Sequence, residues 1–342
     1  MKSSYVAFAI FVATVSAANA APIEYRNGGF RASVSGYGNL GMIEPNFALN
    51  NATALADWSV RGQMTYDFNE THKIGFVYSI NDHGVDEKHY AHDLFALWQV
   101  RDYGRVEVGI TESVAEKLGL GLPDVGGLRV NEHPLFYKEI APDRAVITDT
   151  TLANCDTSLR ANVVSSQHNG VQYGLSVAGL SDGYKYAIDG GIKIRRPNGK
   201  TKTAYSFGAS FTASPDDMDQ MAYAPHVTAD WRAQMSAAVN VQYNSWIFGL
   251  NSRVVYDKDP VGEISDGFAI GTGVSYDLLK YSVSLSYILS DTGVWQSDVH
   301  DYQDHTLLSS FRYKYSEYID GWMSVGITTK TPFVSAGLRI TF

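Results

Sequence analysis

The residues of this chain that could do chemistry are charges gathered in one long connection. Between an alternating run that ends near Ile110–Thr111 and another that starts near Asn154 lie about forty residues, a length that is uncommon for an unstructured loop and usually functional. They include Asp124, Arg129, Glu132, Lys138, Glu139, Asp143, Arg144 and Asp149. Such a mixture can steer ions and dipoles, but it offers no nucleophile with a matched base. The nearest approach to a nucleophile elbow, Gly174-Leu175-Ser176-Val177-Ala178, sits inside an alternating run with no sharp turn. No phosphate-binding loop or zinc motif is present. His83 with Asp86, His89 and His92, and the stretch Asp298–His305, have metal-ligand types. They fall in or beside predicted outer connections, where oxygen-rich loops meet divalent cations loosely. The sequence therefore predicts neither an enzyme nor a resident cofactor or metal.

The elements that must position those charges are amphipathic ribbons. In the last segment Val334, Ala336, Leu338, Ile340 and Phe342 share one parity, and Ser335, Gly337, Arg339 and Thr341 the other. A strand points alternate residues to opposite faces, so this ribbon is greasy on one side and polar on the other. Similar alternation recurs along the chain, as in Trp58–Phe68, Trp246–Val254, Tyr281–Tyr287 and Leu307–Tyr315. His168-Asn169-Gly170 between two such runs is a strong hairpin signal. An exposed ribbon of this kind would aggregate in water, but it is stable in a closed barrel whose apolar face meets lipid. Aromatics crowd the strand ends (Tyr66/Phe68, Tyr256, Tyr276, Tyr313/Tyr315), as interfacial girdles do. A soluble β-sandwich or β-helix is the competing reading, and a sandwich leaves both the girdles and the terminal Phe342 without a role.

The N-terminus reads as an export signal. Lys2, an apolar run from Tyr5 to Val15 and Ala18-Asn19-Ala20 predict a signal peptide over residues 1–20, removed before Ala21. Residues 21–342 are then one barrel domain of 342 − 20 = 322 residues. At roughly 20 residues per strand and connection, that length holds about 16 strands. Cys155 is the one cysteine, so the exported chain has no internal disulfide. Mean hydropathy of −0.15 is compatible with a barrel, whose apolar residues are diluted by alternation. A net charge of −9 argues against nucleic acid as a partner. Connections come in two classes, short ones such as Asp102–Gly104 and Asn198–Lys200, and longer ones near 43–53, 82–89, 181–185, 213–222, 258–265 and 291–301. A further strand is possible between Tyr223 and Trp231.

With these features the chain resembles the Gram-negative general porin family over its whole mature length. The outsized third long connection, 112–153, carries Pro123-Asp124-Val125-Gly126-Gly127, where family members often have Pro-Glu-Phe-Gly-Gly. Asp stands for Glu and Val for Phe, so the match is partial. The resemblance implies an all-β transmembrane antiparallel barrel with this third loop folded into the lumen as a constriction. Asp124, Glu132, Glu139 and Asp143 would supply its acidic side, with Arg129 beside them. Basic residues would face them from the wall, and strand parity offers Arg61, Arg160 and Arg312, with Arg31, Arg253, Lys314 and Arg339 also inward.

The resemblance further implies a homotrimer in the outer membrane, in contact with lipid and lipopolysaccharide, that passes small hydrophilic solutes and ions by passive diffusion. The small outward residues Gly36 and Gly38 of the first strand suit a close protein contact. Two alternatives stand beside the general pore. One is a substrate-selective channel with Phe95 or Phe136 lining a sugar path, and the other is a non-conducting adhesion or structural barrel. The acidic chain and the acid excess of the loop predict a mild cation preference.

Overall fold

The computed structural model describes residues 23–45, 52–82, 90–126, 159–179, 186–213, 231–258, 264–291, 303–328 and 331–342. The strands in chain order are β1 (Ile23–Asn27), β2 (Phe30–Pro45), β3 (Thr53–Asp67), β4 (His72–Asp82), β5 (Tyr90–Val100), β6 (Gly104–Ile110), β7 (Leu159–Ser165), β8 (Val171–Gly179) and β9 (Tyr186–Asn198). They continue as β10 (Thr201–Ala213), β11 (Trp231–Tyr243), β12 (Trp246–Lys258), β13 (Ile264–Leu278), β14 (Tyr281–Asp291), β15 (Gln303–Lys314), β16 (Ile319–Thr328) and β17 (Thr331–Thr341). One short helix, α1 (Val114–Leu118), follows β6.

From β2 onward each strand pairs antiparallel with the next, and β17 pairs back onto β2. The sheet is therefore a closed cylinder of sixteen strands, β2 to β17. β1 is not a seventeenth stave. It pairs with Phe30–Val34 of β2, while β17 pairs with the same strand from Tyr37 to Pro45, so β1 continues the line of β17. Between them Phe342 and Gly36 exchange backbone hydrogen bonds of 2.8 and 2.9 Å. The alternation that starts at Phe30 does not announce β1, because five residues hold as a strand only where an edge is already waiting.

The polarity of the cylinder is inverted relative to a water-soluble protein. On β14, Ser282, Ser284 and Ser286 are 2 %, 5 % and 2 % exposed, whereas Tyr281, Val283 and Leu285 are 48 %, 45 % and 47 % exposed. The same parity holds on β7 and β8, where Asn162 and Ser176 are buried and Val163, Leu175 and Val177 are exposed. An apolar belt of this extent is costly in water and stable against hydrocarbon. Aromatic clusters border it on the short-turn rim at Tyr66–Phe68, Trp246–Tyr276 and Tyr281–Tyr313–Tyr315. Toward the other rim stands Tyr186–Phe211–Trp231.

The two rims differ as the sequence predicts. Short turns join β3 to β4, β5 to β6, β7 to β8 and each later pair of that register, and the longer connections share the opposite rim. Asn169 and Gly170, with φ of 49° and 81°, supply the left-handed pair that a primed hairpin turn requires. Gly36 is small for a reason internal to the chain, since a Cβ there would lie 2.7 Å from the Phe342 ring. The expected signal peptide (1–20) and the possible strand between Tyr223 and Trp231 lie outside the described residues.

Candidate functional site

The connection after β6 turns into the cylinder, and residues Thr111–Gly126 run along its inner wall. α1 starts the path, with the Ser113 side chain accepting from the Glu116 N–H at 3.1 Å as an N-cap. Its Val114 and Leu118 are buried with Val164 of β7. Beyond the helix the backbone has no regular secondary structure, so its N–H and C=O groups need partners from the wall. Inward polar side chains of β7, β9, β11, β12 and β14 provide partners along the whole segment, α1 included. Asn162 of β7 donates to the Glu112 carbonyl at 3.0 Å, and Asp189 of β9 accepts from the Ala115 N–H at 3.0 Å. Asn251 of β12 donates to the Leu120 carbonyl at 2.7 Å, and Asn240 of β11 donates to that of Gly121 at 3.1 Å. Ser284 of β14 accepts from the Val125 N–H at 3.1 Å.

The wall also gives way sterically where the segment presses on it. A Cβ on Gly249 would fall 2.3 Å from Pro123 Cδ, and one on Gly271 would fall 2.6 Å from Leu122 Cδ1. Glycine on β12 and β13 therefore lets the segment lie flat on the wall. Gly126 reaches β15 and β16, where a Cβ would meet the hydroxyls of Ser310 and Ser324 at 2.6 Å.

A charged cluster stands at the root of the segment. Lys117 pairs with Glu107 and donates to Thr111 Oγ1 at 2.7 Å. Arg105 Nε holds the other Glu107 oxygen at 2.7 Å, and Asn162 donates to the carboxylate at 3.1 Å. Phe95 is buried beneath two cations, Arg61 at 6.0 Å and Lys117 at 5.0 Å from its ring centroid. Beside them Asp93 accepts from Ser79 Oγ at 2.8 Å. Enclosure by the surrounding wall, then the Asp93 carboxylate, raise the pKa of Glu112, against the pull of Lys117 and Arg61.

The residues expected at the constriction do not share one placement. Arg61 lies on the inner face, open to the lumen and close to the segment. Asp124 is on the segment but anchored, its Oδ1 accepting from Ser284 Oγ at 2.8 Å and from the Gly126 N–H at 3.0 Å. Arg160 is not a lumen charge. It is 2 % exposed, pairs with Asp189 at 2.8 Å and donates to Ser176 at 3.2 Å, under the start of α1. Burial beneath the helix requires a counter-ion there, and cross-strand register supplies it from β9. Arg312 sits toward the short-turn rim, 3.2 Å from Ser282 Oγ and 3.6 Å from Asp277. Arg129, Glu132, Glu139 and Asp143 lie outside the described residues, as do Phe136, His83, Asp86, His89 and 298–302, whereas His305 is on β15 with its Nδ1 2.6 Å from the Tyr287 hydroxyl. The sequence reading passed over Lys117, Asp189, Asn240 and Asn251. Asparagine is unusual within a strand, so its inward recurrence at 162, 240 and 251 is the signal that marks wall positions needing an amide.

No protein-family model and no curated protein matches the chain. Solved structures do. OmpT of Vibrio cholerae in a trimer form superposes with a TM-score of 0.67 at 10 % identity, over 92 % of this chain and 100 % of that one. An anion-selective porin from Comamonas acidovorans gives 0.60 at 13 % identity, over 92 % and 100 %. Salmonella typhi OmpF, in complex with daunomycin, gives 0.63 at 10 % identity, over 94 % and 100 %. The fold is that of the Gram-negative porins. At these identities the likeness is one of architecture.

Proposed function

We propose that the protein is a passive diffusion channel of the outer membrane, passing ions and small hydrophilic solutes through a lumen narrowed by Thr111–Gly126. One observation carries the reading: on strands such as β7, β8 and β14 the polar face is turned inward and the apolar face outward, with a hydrogen-bonded segment laid on the inner wall. Such a lumen holds water, and its bore and lining charge set what passes. No bond is made or broken, so no cofactor or catalytic group has a part. The apolar belt meets lipid, and the longer connections face the lipopolysaccharide leaflet.

Phe95 argues against the sugar-path alternative, because its ring is buried under Arg61 and Lys117 rather than open to solute. Homotrimeric assembly belongs to the same proposal. It is supported by the fold and by the trimer form of the Vibrio cholerae protein, and not by Gly36, which Phe342 covers within the chain.

The decisive experiment reconstitutes the full exported chain in planar bilayers. Stepwise, ohmic conductance with heat-modifiable migration on gels is the expected result. A folded barrel that stays silent would overturn the channel and leave the adhesion or structural reading. Unboiled gel migration and light scattering read the trimer separately.

A further inference from the structure

Among the described residues, the inner faces of the strands toward the short turns carry charge opposite in sign to that of the chain. By sequence, the connections on the long-loop rim, 111–158 apart, hold eleven Asp and Glu against three Lys, a net of −8. The short-turn half of the lumen is basic. On its inner faces the acids Asp67, Glu107, Asp277 and Asp320 all have basic neighbours. Asp67 lies 3.2 Å from Arg31 and 3.6 Å from Lys73, and Arg312 lies 3.6 Å from Asp277. Asp320 stands between Lys314 and Arg339 in cross-strand register.

Lys193, Arg195 and Lys202 on β9 and β10 have no such partner. Among the described residues no carboxylate lies within ion-pair distance of any of them. Lys193 marks the level of the inner segment, its Nζ donating to the Gly119 carbonyl at 3.4 Å. Arg195 lies two residues nearer the turn and Lys202 is paired with Pro197, so the three descend from the constriction toward the rim. Both Arg195 and Lys202 are exposed to the lumen. Their cross-strand flanks are neutral, with Gln172 opposite Lys193 and Gln242 opposite Lys202.

We propose that Lys193, Arg195 and Lys202 form an anion-attracting patch just below the inner segment, and that the channel passes small anions, including carboxylates and phosphates, in preference to cations. This reverses the cation preference read from net charge. Along β9 the patch starts at Lys193, seven residues from the long-loop end of the strand at Tyr186. That is roughly 23 Å at about 3.3 Å per residue and beyond a Debye length of about 8 Å, so salt screens charge past that end, whereas fixed charges at the narrow part act on every ion that crosses. The proposal rests on the channel reading above.

The test is the reversal potential of the full reconstituted chain in a potassium chloride gradient near about 0.15 M, where the screening length is about 8 Å. The expected sign is anion-selective, and the selectivity fades toward 1 M salt, where the screening length falls to about 3 Å. Arg195→Gln with Lys202→Gln should lower the chloride-to-potassium permeability ratio at least about twofold, from two unit charges acting across roughly 7 Å of screened water. Adding Lys193→Gln lowers it further. Lys200→Gln with Lys280→Gln, at turn tips outside the lumen, should leave the ratio unchanged. Heat-modifiable migration confirms that each variant is folded. Wild-type cation selectivity, or a double variant with the wild-type ratio, overturns the patch while leaving the channel standing. A folded but silent wild type overturns both.

Discussion

Substituting Asp189 with Ala should release the inner segment while leaving the barrel closed. Asp189 is the hub beneath α1, taking Arg160 on one oxygen at 2.8 Å and the Ala115 N–H on the other at 3.0 Å. The two side chains are 1 % and 0 % exposed, so solvent screens them little. Removing one member of a buried ion pair costs about 3–5 kcal/mol, because the other charge remains desolvated. The lost backbone hydrogen bond adds about 1 kcal/mol. The barrel ladder is untouched, so most of this falls on the helix that covers Arg160. Single-channel recordings should show a larger mean conductance and added current noise, and the denaturant midpoint should fall. Arg160→Met with Asp189→Leu removes both charges and should recover most of the loss, since an apolar replacement of a buried pair is often near neutral. Two results would refute the reasoning: wild-type conductance and stability in Asp189→Ala, or a double variant whose cost equals the sum of the single ones.

Three further outcomes follow from the same geometry. Gly249→Ala places a methyl where Pro123 Cδ now lies, at 2.3 Å, so the segment must lift and conductance should change without loss of the folded band on gels; an unchanged conductance would remove Pro123 from the wall. Asp124→Asn should shift the reversal potential toward anions by less than the Arg195 and Lys202 pair shifts it toward cations, because Asp124 is one anchored charge; no shift removes it from the ion path. Glu112 has a raised pKa, so on acidification it takes its proton before ordinary carboxylates do. The lumen then loses one negative charge and anion preference rises as pH falls, a step that Glu112→Gln should lack when reversal potentials are measured against pH.

The alternation of Tyr281–Ile288 or Val334–Phe342 was enough to fix strand, face and environment, because side-chain direction in a strand has a period of two and needs no partner to define it. Loop lengths and Asn169-Gly170 separated the rims for the same local reason. The fate of individual charges was not legible in this way. Arg160 and Arg61 share the same inward parity, yet one is buried against Asp189 and the other faces the lumen. The difference is made by which residues register and closure bring together, 29 positions apart for Arg160 and Asp189. The path of Thr111–Gly126 likewise depends on Asn240, Asn251 and Gly249, more than a hundred residues downstream. The sequence by itself determined a wet-inside, apolar-outside cylinder. Only the closed barrel decided which of its charges face the ions, because net charge is a sum over the chain and a lumen field depends on position.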